Sequence, residues 1–218
     1  MKKLFTVLCS LLIVFTASSQ IIHFETGKLL STFNYKNSEG SALKGLKLSN
    51  QNNLGAGLRM SILYSPWHIS FDALYNKYFT KGSDPVLGNY YEWDFTNLGV
   101  NLGIDYEFFK PPVNYNEQHG FSVSLKISAA AEFLIDGTQN LNNQLTDLNG
   151  VEEFDKPFYF LRGGIVLNYY ISKTYVVFAQ YTGSMSFLIG NYKNQEQLRL
   201  MSHNVNVGIA INLFQMKQ

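Results

Sequence analysis

Three groups of residues in this chain have the side-chain types that chemistry uses. The first is a set of charges at alternate positions of extended segments: Arg59, Asp72, Asp105, Glu107, Lys126, Glu132 and Arg162, with His23, Glu25 and His68 as further candidates. Carboxylates beside cations in an enclosed space can relay protons or ions, and they can equally do no more than neutralise one another. Pairing is the preferred expectation, because a buried charge without a partner is costly. It predicts that Arg59 and Arg162 each meet an inward carboxylate. The second group is Ser202-His203, a serine beside an imidazole. A serine nucleophile needs a histidine base and an acid to orient it. Adjacent residues on a strand face opposite ways, so these two are poor mutual partners, and the acid would have to be Glu196 or come from another loop. The third group is the acidic set Asp136, Asp147, Glu152, Glu153 and Asp155, which lacks the spacing of a calcium loop. His23, His68, His119 and His203 are scattered without metal-ligand spacing. No catalytic, cofactor or metal residue is therefore expected.

The elements that must position these groups follow from the rest of the chain. Met1-Lys2-Lys3, an apolar run from Leu4 to Phe15, and Ala17-Ser18-Ser19 make a secretory signal peptide over residues 1–19, with cleavage expected after Ser19. The domain that remains is 20–218. Cys9, the one cysteine, lies in the leader, so the exported chain has no thiol and no disulfide framework. Of the 17 lysines and arginines two leave with the leader, and the rest nearly balance 16 acids, which gives no reason to expect nucleic-acid binding. Only 15% of the chain is charged, against roughly 25% in soluble domains, while it holds 14 tyrosines and 17 phenylalanines.

Beyond the leader the apolar residues recur with a period of two. The clearest segment is Asn204 to Phe214, with Val205, Val207, Ile209, Ile211 and Leu213 on one face and Asn204, Asn206, Gly208, Ala210 and Asn212 on the other. Seven further segments share the pattern, near 22–34, 54–64, 67–76, 91–108, 121–133, 159–169 and 175–187. In the fourth, Tyr91, Trp93 and Phe95 are out of phase with Leu98 to Phe108, which predicts a β-bulge near Thr96-Asn97. Connections between segments alternate long and short, and 136–156 reads as the longest loop. Pro111-Pro112 marks a rigid turn on the short-turn side.

Alternation alone fits a soluble barrel as well as a membrane one. The polar face, however, is mostly Ser, Gly, Asn, Ala and Thr, which suits a cramped interior rather than a water-facing exterior. Aromatics gather at segment ends: Tyr64, Trp67, Phe108, Phe121, Tyr169, Tyr175 and Phe214 at one, Tyr91, Trp93, Phe133, Tyr159 and Phe187 at the other. That is the girdle pattern of interfacial rings. The expected fold is all-β, an eight-stranded antiparallel up-and-down transmembrane β-barrel with long loops outside and both ends in the periplasm.

On the leader ending Ser19-Gln20, the eight alternating segments and the closing Asn206-x-Gly208-x-x-Ile211-x-Leu213-Phe214, the chain resembles the small outer-membrane β-barrel proteins of Gram-negative bacteria, of the OmpA-like or PorT-like class. The tail Gln215 to Gln218 departs from members that stop at the aromatic. The resemblance implies that Asn206, Gly208, Ile211, Leu213 and Phe214 form the assembly signal read by the barrel-assembly machinery. It also implies outer-membrane lipid as surroundings. The expected role is non-enzymatic, a structural or accessory element of the envelope with loops as contact surface and a protein partner in an envelope complex. The alternatives are an enzyme acting on lipid A acyl chains and a small pore.

Overall fold

Alternating β-branched and aromatic residues favour a pleated, half-buried surface, and most of the described residues take that form. The structure is a computed structural model that describes residues 20–36, 45–62, 65–83, 90–109, 120–187 and 197–213. The leader, Tyr64, Pro111-Pro112, His119, Glu196 and Phe214 lie outside the described residues. Eight long strands follow in order: β1 (Gln20–Lys36), β2 (Ser49–Ser61), β3 (Trp67–Ser83), β4 (Tyr90–Phe109), β5 (Gly120–Leu141), β7 (Phe158–Tyr170), β8 (Tyr175–Phe187) and β9 (Gln197–Asn212). Between β5 and β7 come a short strand, β6 (Gln144–Asp147), and one helical turn, α1 (Glu152–Asp155). Each long strand pairs antiparallel with its neighbours in sequence, and β1 also pairs with β9, so the sheet closes on itself.

The register fixes the shape of the ring. Register partners lead from Ile22 through Leu58, Phe71, Leu102, Ala129, Leu161, Met185 and Met201 back to β1 at Thr32. One circuit therefore returns ten residues further along the same strand, and that offset is the shear of the barrel. With eight strands and standard spacings it implies a tilt of about 40° and a backbone diameter of about 16 Å. Such a bore is just wide enough for side chains to fill.

Every residue on that circuit points outward. Leu102, Ile127, Leu161, Val207 and Ile209 are all more than half exposed, and they belong to an apolar belt that encircles the barrel. Trp67, Phe108, Phe121, Tyr169 and Tyr175 rim the belt at the short-turn end, and Phe133, Tyr159 and Phe187 rim it at the other. The inward face carries Asn, Ser, Thr and paired charges. That division is inverted relative to a soluble barrel.

Two expectations from sequence need correction, and a third is met on the neighbouring strand. Tyr91 and Trp93 do not belong to the outer girdle: they point into the mouth of the barrel, and Trp93 is 4% exposed. The bulge expected near Thr96-Asn97 is present as a register shift in the pairing with β5, but the extra residue does not belong to β4. Its pairing with β3 runs unbroken from Trp67↔Tyr106 to Ser83↔Tyr90, whereas on the β5 side Asn97 pairs with Leu134 and Thr96 with Asp136. The extra residue is Ile135 of β5, so the phase change in β4 is a change of side-chain chemistry on an unshifted backbone. Finally, 136–156 is not a loop. β5 continues to Leu141 and turns back into β6 through Asn142 and Asn143, both at positive φ (51° and 69°), the conformation of a two-residue hairpin turn that asparagine tolerates.

Candidate functional site

The lumen holds all seven predicted inward charges, each no more than 9% exposed. The register brings them together in three groups. At the short-turn end, Arg59 Nε lies 3.1 Å from Asp105 Oδ2. Beside it Tyr170 donates to Glu107 Oε1 at 3.0 Å, and His68 Nε2 is 3.9 Å from Glu107 Oε2. In the middle, Asp72 meets Lys126 Nζ at 3.1 Å and His23 Nε2 at 3.1 Å, and accepts from Asn101 Nδ2 at 2.7 Å. Higher up, Glu132 is wholly buried and takes a short contact from Arg162 Nη2 on Oε1. It also accepts from Asn76 Nδ2 at 2.6 Å and from the Tyr78 hydroxyl at 2.9 Å. Arg162 in turn lies over the Phe160 ring, 5.2 Å from its centroid. Glu25 faces inward against Gly55. Carboxylates served by a cation and neutral donors at once meet the condition for stable burial.

Above this polar layer the lumen changes character. Phe33, Tyr78, Phe95, Phe158 and Phe160 fill it with stacked and edge-on rings, and Leu29, Leu198 and Leu200 pack among them. The segment between β6 and β7 caps the stack. Its Leu148 is completely buried, held where its backbone N–H reaches the Gly137 carbonyl at 3.0 Å, and Phe154 of α1 packs against Phe95 and Phe158. Sequence reasoning missed this plug. The Asn142-Asn143 pair was the available signal for the hairpin that carries it.

The candidate chemistry does not assemble. Ser202 faces the lumen and meets Ser184 Oγ at 2.6 Å, while His203 faces outward with its Nδ1 2.8 Å from the Tyr181 hydroxyl. The two share no contact, as strand alternation requires. Of the acidic set, the Glu152 and Glu153 side chains lie outside the described residues, and the other three are dispersed. Asp147 accepts from the Asn149 backbone and side chain at 2.8 Å, Asp155 accepts from Gly150 N–H at 2.9 Å, and Asp136 pairs across to Thr96. Among the described residues no three His, Cys, Asp or Glu side chains converge as metal ligands. At the rim, Tyr90 donates to Glu92, and the hydrogen bond to that carboxylate raises the phenol's pKa.

The closing motif lies on β9, with Asn206 buried inward and Ile211 on the outward face; Leu213 follows directly, its N–H on the Gln20 carbonyl at 2.9 Å. Gly208 has a local reason of its own: a Cβ there would run into the Phe24 carbonyl and the Phe178 ring. The missing side chain lets β1 and Phe178 close over β9.

A closed strand ring with an apolar belt, aromatic rims and a filled polar core is a transmembrane β-barrel of the outer-membrane type, and the outer membrane is its location. No protein-family model matches the chain, and no curated protein matches it in sequence. Solved structures similar to it include OprG from Pseudomonas aeruginosa, at 12% identity and a TM-score of 0.49, over 89% of this chain and 97% of that one. Neisserial surface protein A aligns at 10% identity and a TM-score of 0.46, over 88% of this chain and 97% of that one. The outer-membrane protease OmpT from Escherichia coli aligns at 7% identity and a TM-score of 0.48, over 89% and 97%.

Proposed function

We propose that the protein is a non-enzymatic element of the outer membrane, a sealed barrel whose long-loop end is the contact surface for a partner in the envelope. The observation that carries this reading is the double closure of the lumen. Paired charges fill its lower part, and an aromatic stack capped by Leu148 and Phe154 fills the upper part. A filled bore offers no water path for a pore. The separation of Ser202 from His203 gives no nucleophile–base pair for acyl chemistry. A plugged barrel still spends many residues on long strands beyond the belt: β5 continues past Phe133 to Leu141. Those extensions place structure outside the membrane, where a partner can reach it.

Reconstitution of the purified barrel in planar bilayers tests the reading. The expected result is no steady conductance, and no release of fatty acid from vesicles containing lipid A. A stable open-channel current would overturn the sealed-lumen reading, and acyl release lost on Ser202→Ala would overturn the non-enzymatic one.

A further inference from the structure

The mouth of the barrel holds a cavity that the plug does not fill. It measures about 290 Å³ and lies where β1, β4, β5 and β6 extend beyond the apolar belt, under the segment that carries α1. Its buried lining is Trp93, Phe154 and Leu198; Tyr35, Tyr91 and Gln139 are half-buried around it, and Thr146 of β6 is exposed at its edge. Trp93 sits between the two tyrosines, with ring centroids 5.8 Å from Tyr35 at 40° and 6.2 Å from Tyr91 at 26°. Tyr91 stacks on Trp93 and Tyr35 is tilted against it, so the three rings form one aromatic cluster in the pocket wall. Trp93 Nε1 donates to Gln139 Oε1 at 2.8 Å, which turns the amide so that its NH₂ end points away from the indole.

We propose that this pocket binds a neutral saccharide, one pyranose ring at a time. The lining selects the class by elimination. Among the described residues it includes no charged side chain, so a phosphate, carboxylate or ammonium ligand would lose its hydration with no counter-charge from them in return. A plain hydrocarbon would strip water from the Gln139 amide and the Thr146 hydroxyl without replacing it. A pyranose satisfies both halves. Its C–H face lies on aromatic surface, and its equatorial hydroxyls exchange hydrogen bonds with amide and hydroxyl groups at the edge. The volume is near the lower end of small-molecule sites, roughly 300–1,000 Å³, and fits one ring rather than a chain of them. The cavity also lies outside the belt, at the long-loop end of the barrel. This inference rests on the contact role proposed above and names the chemistry of the contact.

The chain has two tryptophans, and Trp67→Phe leaves Trp93 as the only one in the protein, a reporter inside the pocket. Full-length mature barrel carrying that change is titrated in detergent with glucose, galactose and N-acetylglucosamine. Glucitol, which has no ring, and cyclohexanol, which has no hydroxyl array, serve as controls. At least one pyranose should give a saturable change in Trp93 emission with a dissociation constant on the order of 1–10 mM, the affinity such a small ligand reaches. Tyr35→Ala should weaken it at least tenfold. Thr146→Val, at an exposed position where folding is not at stake, should weaken it severalfold with an unchanged circular dichroism spectrum. No saturable response to any of the three sugars would overturn the proposal, as would equal responses to glucitol or cyclohexanol. Bilayer conductance reports on the sealed-barrel role and Trp93 emission on the pocket, so the two readings fail separately.

Discussion

Replacing Arg162 with methionine is the sharpest probe of how the lumen is held. The change keeps length and apolar stem while removing the guanidinium from Glu132, a carboxylate with no exposure at all. Asn76 and Tyr78 still donate to Glu132, at 2.6 and 2.9 Å, but neutral donors do not offset a buried negative charge. Removing one partner of such a pair costs about 3–5 kcal/mol. Loss of the cation over the Phe160 ring adds on the order of 1 kcal/mol. Glu132→Gln alone strands the guanidinium and should cost a similar amount. The double variant removes both charges and should be more stable than either single variant, by at least about 2 kcal/mol. Urea unfolding in lipid vesicles, followed by tryptophan emission, reads this directly. With a slope of about 1–3 kcal/mol per molar, Arg162→Met should lower the midpoint by at least about 1 M. If the double variant were as unstable as Arg162→Met, or if Arg162→Met cost under about 1 kcal/mol, the pair would not be holding the lumen.

Two further outcomes follow from the same geometry. Leu102→Arg places a charge midway across the apolar belt and should cost about 2–4 kcal/mol, whereas Leu145→Arg on β6, a position even more exposed at 71%, should cost almost nothing; equal costs would contradict the assignment of the belt to lipid. Gly208→Ala should lower stability by about 1–3 kcal/mol when the barrel refolds alone, because the methyl meets Phe178 and the Phe24 carbonyl, and Phe178→Ala should restore part of the loss. Should Gly208→Ala refold normally by itself and yet fail to reach the membrane in cells, the glycine would matter to the assembly machinery rather than to packing.

Most of the barrel was legible because a lipid-facing exterior enforces strict alternation. Segments such as Phe121 to Phe133 leave no doubt about which side each residue takes. The seven inward charges were legible for the same reason, since face follows from position parity. Their partners were not. That Arg59 meets Asp105, two strands away, and that Asp72 gathers His23 and Lys126, depends on register and shear, which the chain writes only in its cross-strand pairing. The mouth was misread because aromatic residues suit both an interfacial girdle and an interior plug. Tyr91, Trp93 and Phe95 kept an unbroken alternation while the apolar side switched from lipid to lumen; the bulge inferred from that switch exists, but its extra residue is Ile135 of β5. The upper strands were cut short because polar pairs such as Thr138↔Asp147 look like loop once the membrane no longer demands alternation.

The central claim is that the outward face of the ring meets lipid while the β6 hairpin stands in water. The exported chain is expected to carry no cysteine, so single nitroxide labels can be placed at Ile127→Cys and at Leu145→Cys, positions 65% and 71% exposed. Collision rates with oxygen and with a water-soluble nickel chelate then report the medium at each site in vesicles. Oxygen should dominate at position 127 and the chelate at 145. Dominance of the chelate at both positions would mean that the apolar belt is not in a membrane.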